Sequence, residues 1–473
     1  MSGALWTWPE VAGALGGEVV GTPPDAFDGV TFDSREVAGG EVFFAIKGVR
    51  MDGHAFAAEA LRKGAALAVV SSPDEEMQAA GALQVVDDTL AALQALGRAG
   101  RARARAQVIG VTGSVGKTTT KDMLAHALVA AGAVHAAKAS FNNHWGVPLT
   151  LARLPQDADF AVIEMGMNAP GEIAQLTAMA RPHVAIVTHV AESHIGAFGS
   201  LEGIARAKAE IFMGLVPGGV AVINADAPHA DVLRAAAEEA GAERIIAYGE
   251  GEGCDIRLLE ARSDEEGVSV RARIDGEEAI WRIGAPGRHV ALNSLAVIGT
   301  GLALGLDLPA LMHRLAGFTV PSGRGQRHVL HLPAGGTALL LDESYNANPA
   351  SVRAALTNLS ETEPGAGGRR VAVLADMLEL GELGPDLHAG LAPDVEKAGV
   401  DVMHACGPLM KHLWEALPAE RRGAWRETAE DLLSVVLEDV RPGDVIMVKG
   451  SHGMRAWAIA RALRERLGGD HGR

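Results

Sequence analysis

Gly110-Val-Thr-Gly-Ser-Val-Gly-Lys-Thr-Thr-Thr120 decides the reading of this chain. An apolar run, Gln107 to Val111, leads in and reads as a buried strand. An Ala/Leu-rich stretch from Lys117 to about Ala131 leads out and reads as a helix. Strand, glycine loop and helix form the layout of a nucleotide phosphate cradle. Glycines at 113 and 116 let backbone N–H groups turn toward phosphate, and the helix N-terminus adds positive partial charge. Gly113, Ser114, Gly116, Lys117, Thr118 and Thr119 are therefore the expected ATP or GTP contacts, with Lys117 on the β- and γ-phosphates and the Thr118 hydroxyl on Mg²⁺. The match is shorter than the usual motif, because Val111 stands where its first glycine belongs.

Outward from the cradle, strands are expected at Phe160–Glu164, Val184–Thr188, Val220–Asn224 and Arg244–Tyr248, with helices between several of them. Such alternation means a parallel sheet covered on both faces. Short alternating segments between about Asp255 and Ile283 suggest an antiparallel insertion, and a helix follows near Leu292 to Leu304. The pattern divides the chain into a small N-terminal α/β region (1–85), a central P-loop parallel-sheet region (86–320) and a C-terminal region (321–473). The last carries strands at Ala338–Asp342, Val371–Ala375, Val402–Ala405 and Val445–Lys449, a Rossmann-like series without a dinucleotide fingerprint. Pro321-Ser-Gly-Arg324 reads as the hinge into it.

The 473 residues are 48% apolar with a net charge of −17, which fits a globular protein and argues against nucleic-acid binding. Arg98, Arg101, Arg103 and Arg105 form a local basic stretch, read as a solvated helix end or linker, or alternatively as a steering patch for anions. Two cysteines in no ligand spacing fit a reducing cytoplasm. No signal peptide or bilayer-length apolar run is apparent, so no membrane insertion is expected.

Glu164 ends its strand where ligands of open parallel sheets collect, so its carboxylate suits Mg²⁺. His194 follows the next strand and Lys208 lies on a helix beyond it. Asp342-Glu-Ser-Tyr-Asn-Ala-Asn-Pro349 crowds polar groups at another strand end, part of which is helix capping. Arg324 suits a phosphate across a cleft, and Lys449 in Lys-Gly-Ser-His-Gly suits an anion or a turn.

Four further segments, Asn142-Asn-His-Trp-Gly-Val-Pro-Leu-Thr150, His194-Ile-Gly-Ala-Phe-Gly-Ser200, Tyr345-Asn-Ala-Asn-Pro349 and Asp376-Met-Leu-Glu-Leu-Gly381, occur in the order found in the Mur ligases. The chain resembles that family of ATP-dependent amide-bond-forming enzymes over essentially its whole length. The resemblance implies three domains, for the sugar nucleotide, ATP and the incoming amine. It implies sugar-nucleotide contacts at Ser34 and Arg35, further substrate contacts at Asn142, Asn143, Tyr345, Asn346 and Asn348, and nucleotide contacts at Asn293, Arg324 and Asp342. It also implies metal binding through Thr118, Glu164, His194 and a carbamylated Lys208, with Lys117, Lys208, His194 and Arg324 serving catalysis.

Within the family, Tyr345-Asn-Ala-Asn-Pro349 resembles members that join D-alanyl-D-alanine to UDP-N-acetylmuramoyl-tripeptide through an acyl phosphate. A ligase adding the third amino acid usually carries Asp-Asn-Pro-Arg, which is absent here. Folylpolyglutamate synthase lacks a comparable first domain, and a non-catalytic nucleotide switch would not need Lys117, Glu164, His194 and Lys208 together. A cytoplasmic monomer is expected. Val290, Glu343 and His452 depart from residues common in the family.

Overall fold

The computed structural model describes residues 4–48, 51–138, 140–264 and 266–468. The outermost ends of the first and last regions read from the sequence lie outside these residues. Three main sheets follow one another along the chain. The first has five strands in the order Glu18–Val20, Leu83–Val85, Leu67–Val70, Glu41–Phe44, Gly29–Thr31. Only Glu18–Val20 runs antiparallel to its neighbour.

The central sheet has nine strands. Gln107–Thr112 lies between Val184–Val187 and Phe160–Glu164, all parallel. The strand alternates its side chains between faces, so Val108 enters one buried cluster while Ile109 and Val111 enter another. Each fully buried aliphatic side chain of this kind contributes roughly 1.5–3 kcal/mol. Ile256–Asp264, Gly267–Ile274 and Glu277–Ile283 extend the sheet as the antiparallel insertion. The helix after the insertion starts at Arg288 and runs to Ala303, so it begins earlier than its apolar run indicates.

The third sheet has six strands. Its parallel part contains the four strands expected there plus Arg422–Arg426. Gln326–His331 pairs antiparallel with Thr337–Asp342 as an additional edge strand. Its mixed polar and apolar sequence and half-exposed side chains give no buried-strand signature.

The basic stretch differs from its expected solvated role. Arg101 is buried and donates from Nε to the Ala180 carbonyl (2.7 Å) and from Nη2 to the Arg181 carbonyl (2.9 Å), closing the end of helix Glu172–Ala180. The Arg103 guanidinium lies 3.4 Å from the Trp6 ring centre and pairs with Glu10. Helix Thr89–Arg103 thereby ties the first sheet's lobe to the middle one. Among the described residues no helix is long and apolar enough to cross a membrane.

Candidate active site

The strand Gln107–Thr112 ends in a loop that turns directly into helix Lys117–Leu128. Gly116 caps that helix with φ +83°, a left-handed conformation that costs a side-chain-bearing residue energy. A Cβ at this position would also lie 2.7 Å from Asn293 Oδ1. Gly113, at φ +152°, leaves no room for a Cβ beside the Thr188 hydroxyl. Ser114 fastens the loop to the chain beyond the neighbouring strand, donating from N to the His189 carbonyl (2.8 Å) and from Oγ to the Ala191 carbonyl (2.9 Å). The cradle is thus shaped by backbone and glycine geometry.

Lys117 Nζ donates to the Gly113 carbonyl (2.6 Å). Burial lowers its pKa, the nearby Glu164 charge opposes that shift, and Arg324 reinforces it. Glu164 closes its strand at 3% exposure. Asn142 Nδ2 donates to Glu164 Oε1 (2.8 Å), whereas Oε2 is buried without a hydrogen-bond partner. An orphaned buried carboxylate oxygen is costly unless a cation or water satisfies it. Thr118 lines the same cavity, so two hard oxygen donors face it, a set that fits Mg²⁺ completing its shell with phosphate and water. Among the described residues no three His, Cys, Asp or Glu side chains converge as a ligand cluster.

The cavity has a volume of about 440 Å³ and is walled on its other side by the C-terminal lobe. Arg324, just past the hinge, reaches across it. Its Nη2 donates to Thr118 Oγ1 (2.9 Å) and to Ser140 Oγ (3.4 Å), while its guanidinium lies 4.0 Å from the Tyr345 ring centre. Asn348 caps helix Pro349–Glu361 by accepting from Ser351 N (2.9 Å), and its Nδ2 also donates to the Ser114 carbonyl across the cleft (3.4 Å). Lys449 Nζ donates to the Asn346 carbonyl (3.0 Å) and braces that loop. Burial lowers the Lys449 pKa against the opposing charge of Glu343.

Gly116, Lys117, Thr118, Thr119, Ser114, Asn142, Glu164, Asn293, Arg324, Tyr345, Asn346 and Asn348, all singled out in the sequence, line this one cavity. Gly113 stands just behind them, where its carbonyl receives Lys117. Ser140, His289 and Glu343 also line it and were not among the expected contacts. Ser140 and His289 carry no local signal, while Glu343 sits inside the polar strand-end cluster that marks the wall.

Other expected residues are placed elsewhere. Asp342 does not line the cavity; its Oδ1 accepts from Ser344 N (3.2 Å) and Oγ (2.5 Å), bending the chain after the strand. Asn143 Oδ1 accepts from Trp145 N (3.1 Å) and Gly146 N (2.9 Å) and starts a helix. Arg35 is exposed and paired with Asp33 at 2.6 Å, and Ser34 is buried beside it. Their loop borders a second cleft of about 1650 Å³ between the first two lobes, lined by Thr31, Glu36, Lys138 and Arg153 among others.

His194 and Lys208 are likewise absent from the lining of the first cavity. His194 Nδ1 lies 2.8 Å from Glu379 Oε2 of the C-terminal lobe. Lys208 is 2% exposed, and burial together with the charge of Lys117 holds its pKa well below the ordinary lysine value.

Three models of one family match in sequence. "Mur ligase family, catalytic domain" matches residues 26–101, "Mur ligase middle domain" residues 111–301 and "Mur ligase, glutamate ligase domain" residues 331–452. The chain belongs to the Mur ligase family of ATP-dependent ligases. It is 36% identical over 445 residues to the UDP-N-acetylmuramoyl-tripeptide–D-alanyl-D-alanine ligase of Bacillus subtilis, covering 92% of this chain and 93% of that one. A crystal structure of MurF from Acinetobacter baumannii superposes with a TM-score of 0.85 at 29% identity, covering 97% of this chain and 99% of that one. MurF from Thermotoga maritima, solved in complex with ADP, gives a TM-score of 0.76 at 26% identity, covering 93% and 98%.

Proposed function

We infer that this chain joins D-alanyl-D-alanine to UDP-N-acetylmuramoyl-tripeptide at the expense of ATP, in peptidoglycan precursor synthesis. The observation that carries the reading is the single cavity in which the phosphate cradle faces Arg324 and Asn348 of the C-terminal lobe. The tripeptide's terminal carboxylate attacks the γ-phosphate, giving an acyl phosphate and ADP. The dipeptide amine then attacks the acyl carbon, and phosphate leaves with the bond pair.

The first step brings anions together, so charge neutralisation and positioning dominate the barrier. Lys117 leaves the Gly113 carbonyl for the β- and γ-phosphates. Arg324 exchanges the Thr118 hydroxyl for phosphate oxygen. The backbone N–H groups from Gly113 to Thr119 orient the triphosphate, and Asn293 borders its base. Thr118 and Glu164 would hold Mg²⁺, which would supply further positive charge, and His194 would contribute to a second cation site. Burial and the Lys117 charge, which hold the Lys208 pKa well below the ordinary lysine value, would ease addition of its amine to carbon dioxide with loss of a proton, and the carbamate would supply an additional oxygen ligand. Asn346, Asn348 and Tyr345 receive the dipeptide. Ser34, Arg35 and the cleft between the first two lobes receive the sugar nucleotide, with Asn142 and Asn143 nearer the cavity. Asp342 supports the nucleotide side indirectly through the turn it shapes. The domains are 1–85, 86–320 and 321–473, and the enzyme works as a cytoplasmic monomer.

The test is phosphate release and product mass with ATP, Mg²⁺ and UDP-N-acetylmuramoyl-tripeptide, offered D-alanyl-D-alanine or single amino acids. The expected result is ligation of the dipeptide, lost on chelation with EDTA and restored by Mg²⁺. Nucleotide consumption without a ligated product would sink the assignment.

A further inference from the structure

Thr188 follows strand Val184–Val187, the neighbour of the strand that leads into the phosphate cradle. It is 2% exposed and does not line the cavity. Its hydroxyl nevertheless sits against the cradle loop. Thr188 Oγ1 lies 2.6 Å from the Val115 carbonyl oxygen and 3.1 Å from that of Thr112, and it fills the space that a Cβ on Gly113 would need. The hydroxyl has one proton to give. The Thr112 carbonyl already accepts from Thr188 N (2.9 Å), so the shorter bond, to Val115, is the one that depends on the hydroxyl.

The consequence follows from the peptide plane. In a trans peptide the C=O of one residue and the N–H of the next point in opposite directions. Drawing the Val115 carbonyl onto Thr188 therefore turns the Gly116 N–H to the far side of that peptide. Val115 and Gly116 line the cavity and Thr188 does not, so the far side is the cavity side. The Gly116 N–H has no acceptor among the described residues. A free backbone N–H aimed into a cleft at a helix N-terminus is a donor for a phosphate oxygen.

Thr188 is itself held from behind. Its carbonyl accepts from Asn224 Nδ2 (2.8 Å) and from the Tyr248 hydroxyl (3.1 Å). These two residues pair in register on strands Val220–Asn224 and Arg244–Gly249, and both are buried. Asn224 Oδ1 accepts from Asp226 N (3.0 Å), which leaves the amide nitrogen as the donor to Thr188. Burial and the Asp226 charge push the Tyr248 phenol above its ordinary pKa, so it remains a donor. Neither strand contributes to the cavity lining.

We propose that Thr188 is a positioning residue for the phosphate cradle: its hydroxyl sets the Val115–Gly116 peptide so that the Gly116 N–H meets a phosphate oxygen, and Asn224 and Tyr248 keep Thr188 in that place. This rests on the reading of the cavity as an ATP site given under Proposed function.

The experiment is ADP binding to the full chain by calorimetry, with KM values for ATP and for D-alanyl-D-alanine taken from phosphate release. The variants are T188S, which keeps the hydroxyl, T188V, which keeps the shape, and T188A, which keeps neither, each measured below its thermal transition. T188V and T188A should both weaken ADP by about 10- to 100-fold, the loss expected for a misplaced hydrogen bond to a charged ligand. The KM for ATP should rise in proportion while that for the dipeptide holds. T188S should retain most of the wild-type affinity. If only one of T188V and T188A folds, that one answers. Wild-type ADP affinity in a variant lacking the hydroxyl overturns the proposal. So does a loss in T188S equal to that in T188A, or an equal rise in both KM values, since either marks packing rather than the hydrogen bond. Those results leave the ligase assignment standing, whereas absence of ADP binding by the wild-type chain would break the ATP reading and this inference with it.

Discussion

The two walls of the cavity are built by different means. The middle-lobe wall is mostly main chain: positive-φ glycines, a helix N-terminus, and a serine that ties the loop to the next strand. The C-terminal wall is mostly side chain, with Arg324, Tyr345 and Asn348 extended from turns and from a helix cap. A main-chain wall suits phosphates, which are the same in every nucleotide. A side-chain wall suits the partner that distinguishes one ligase from another, because it changes by substitution without disturbing the sheet beneath.

Substitutions on each wall should break down along this line. Lys117→Ala should have the largest effect, lowering ligation by about 1000-fold or more through loss of transition-state charge. Phosphate release under saturating ATP checks it, and near-normal turnover would remove the cradle from the mechanism. Gly116→Ala comes next. It combines left-handed strain with overlap at Asn293, and should weaken ADP binding by about 100-fold, read by calorimetry, while leaving the C-terminal wall intact.

Arg324→Lys keeps the charge but loses the planar fork and the Tyr345 stack. A drop of roughly 10-fold in kcat is expected with little change in ADP affinity; an equal loss in both would place Arg324 on the nucleotide wall. Asn348→Ala should be mildest. It removes a helix cap that contributes about 1 kcal/mol, visible as a lowered urea midpoint, and raises the KM for the dipeptide several-fold with that for ATP unchanged.

The same division governs what the sequence discloses. Gly113, Gly116, Lys117 and Thr118 are legible because a loop that must approach phosphate tolerates few other residues. The central strands are legible because burial on both faces demands continuous apolar runs, and Phe160–Glu164 and Val220–Asn224 fall where those runs stand. Gln326–His331 is not legible, since a half-exposed edge strand needs no such run. Arg101 reads as solvated because its partners, the carbonyls of Ala180 and Arg181, lie far along the chain. Asp342 and Glu343 are adjacent carboxylates at a strand end, and only the turn made with Ser344 decides which of them faces the cavity.

Lys117 and Arg324 already have partners within the protein, the Gly113 carbonyl and the Thr118 hydroxyl. On the proposed reading, triphosphate would take each of these two cations from an existing partner rather than meet it free. The same partners stand ready when ADP departs, so neither cation is stranded at the end of a turnover.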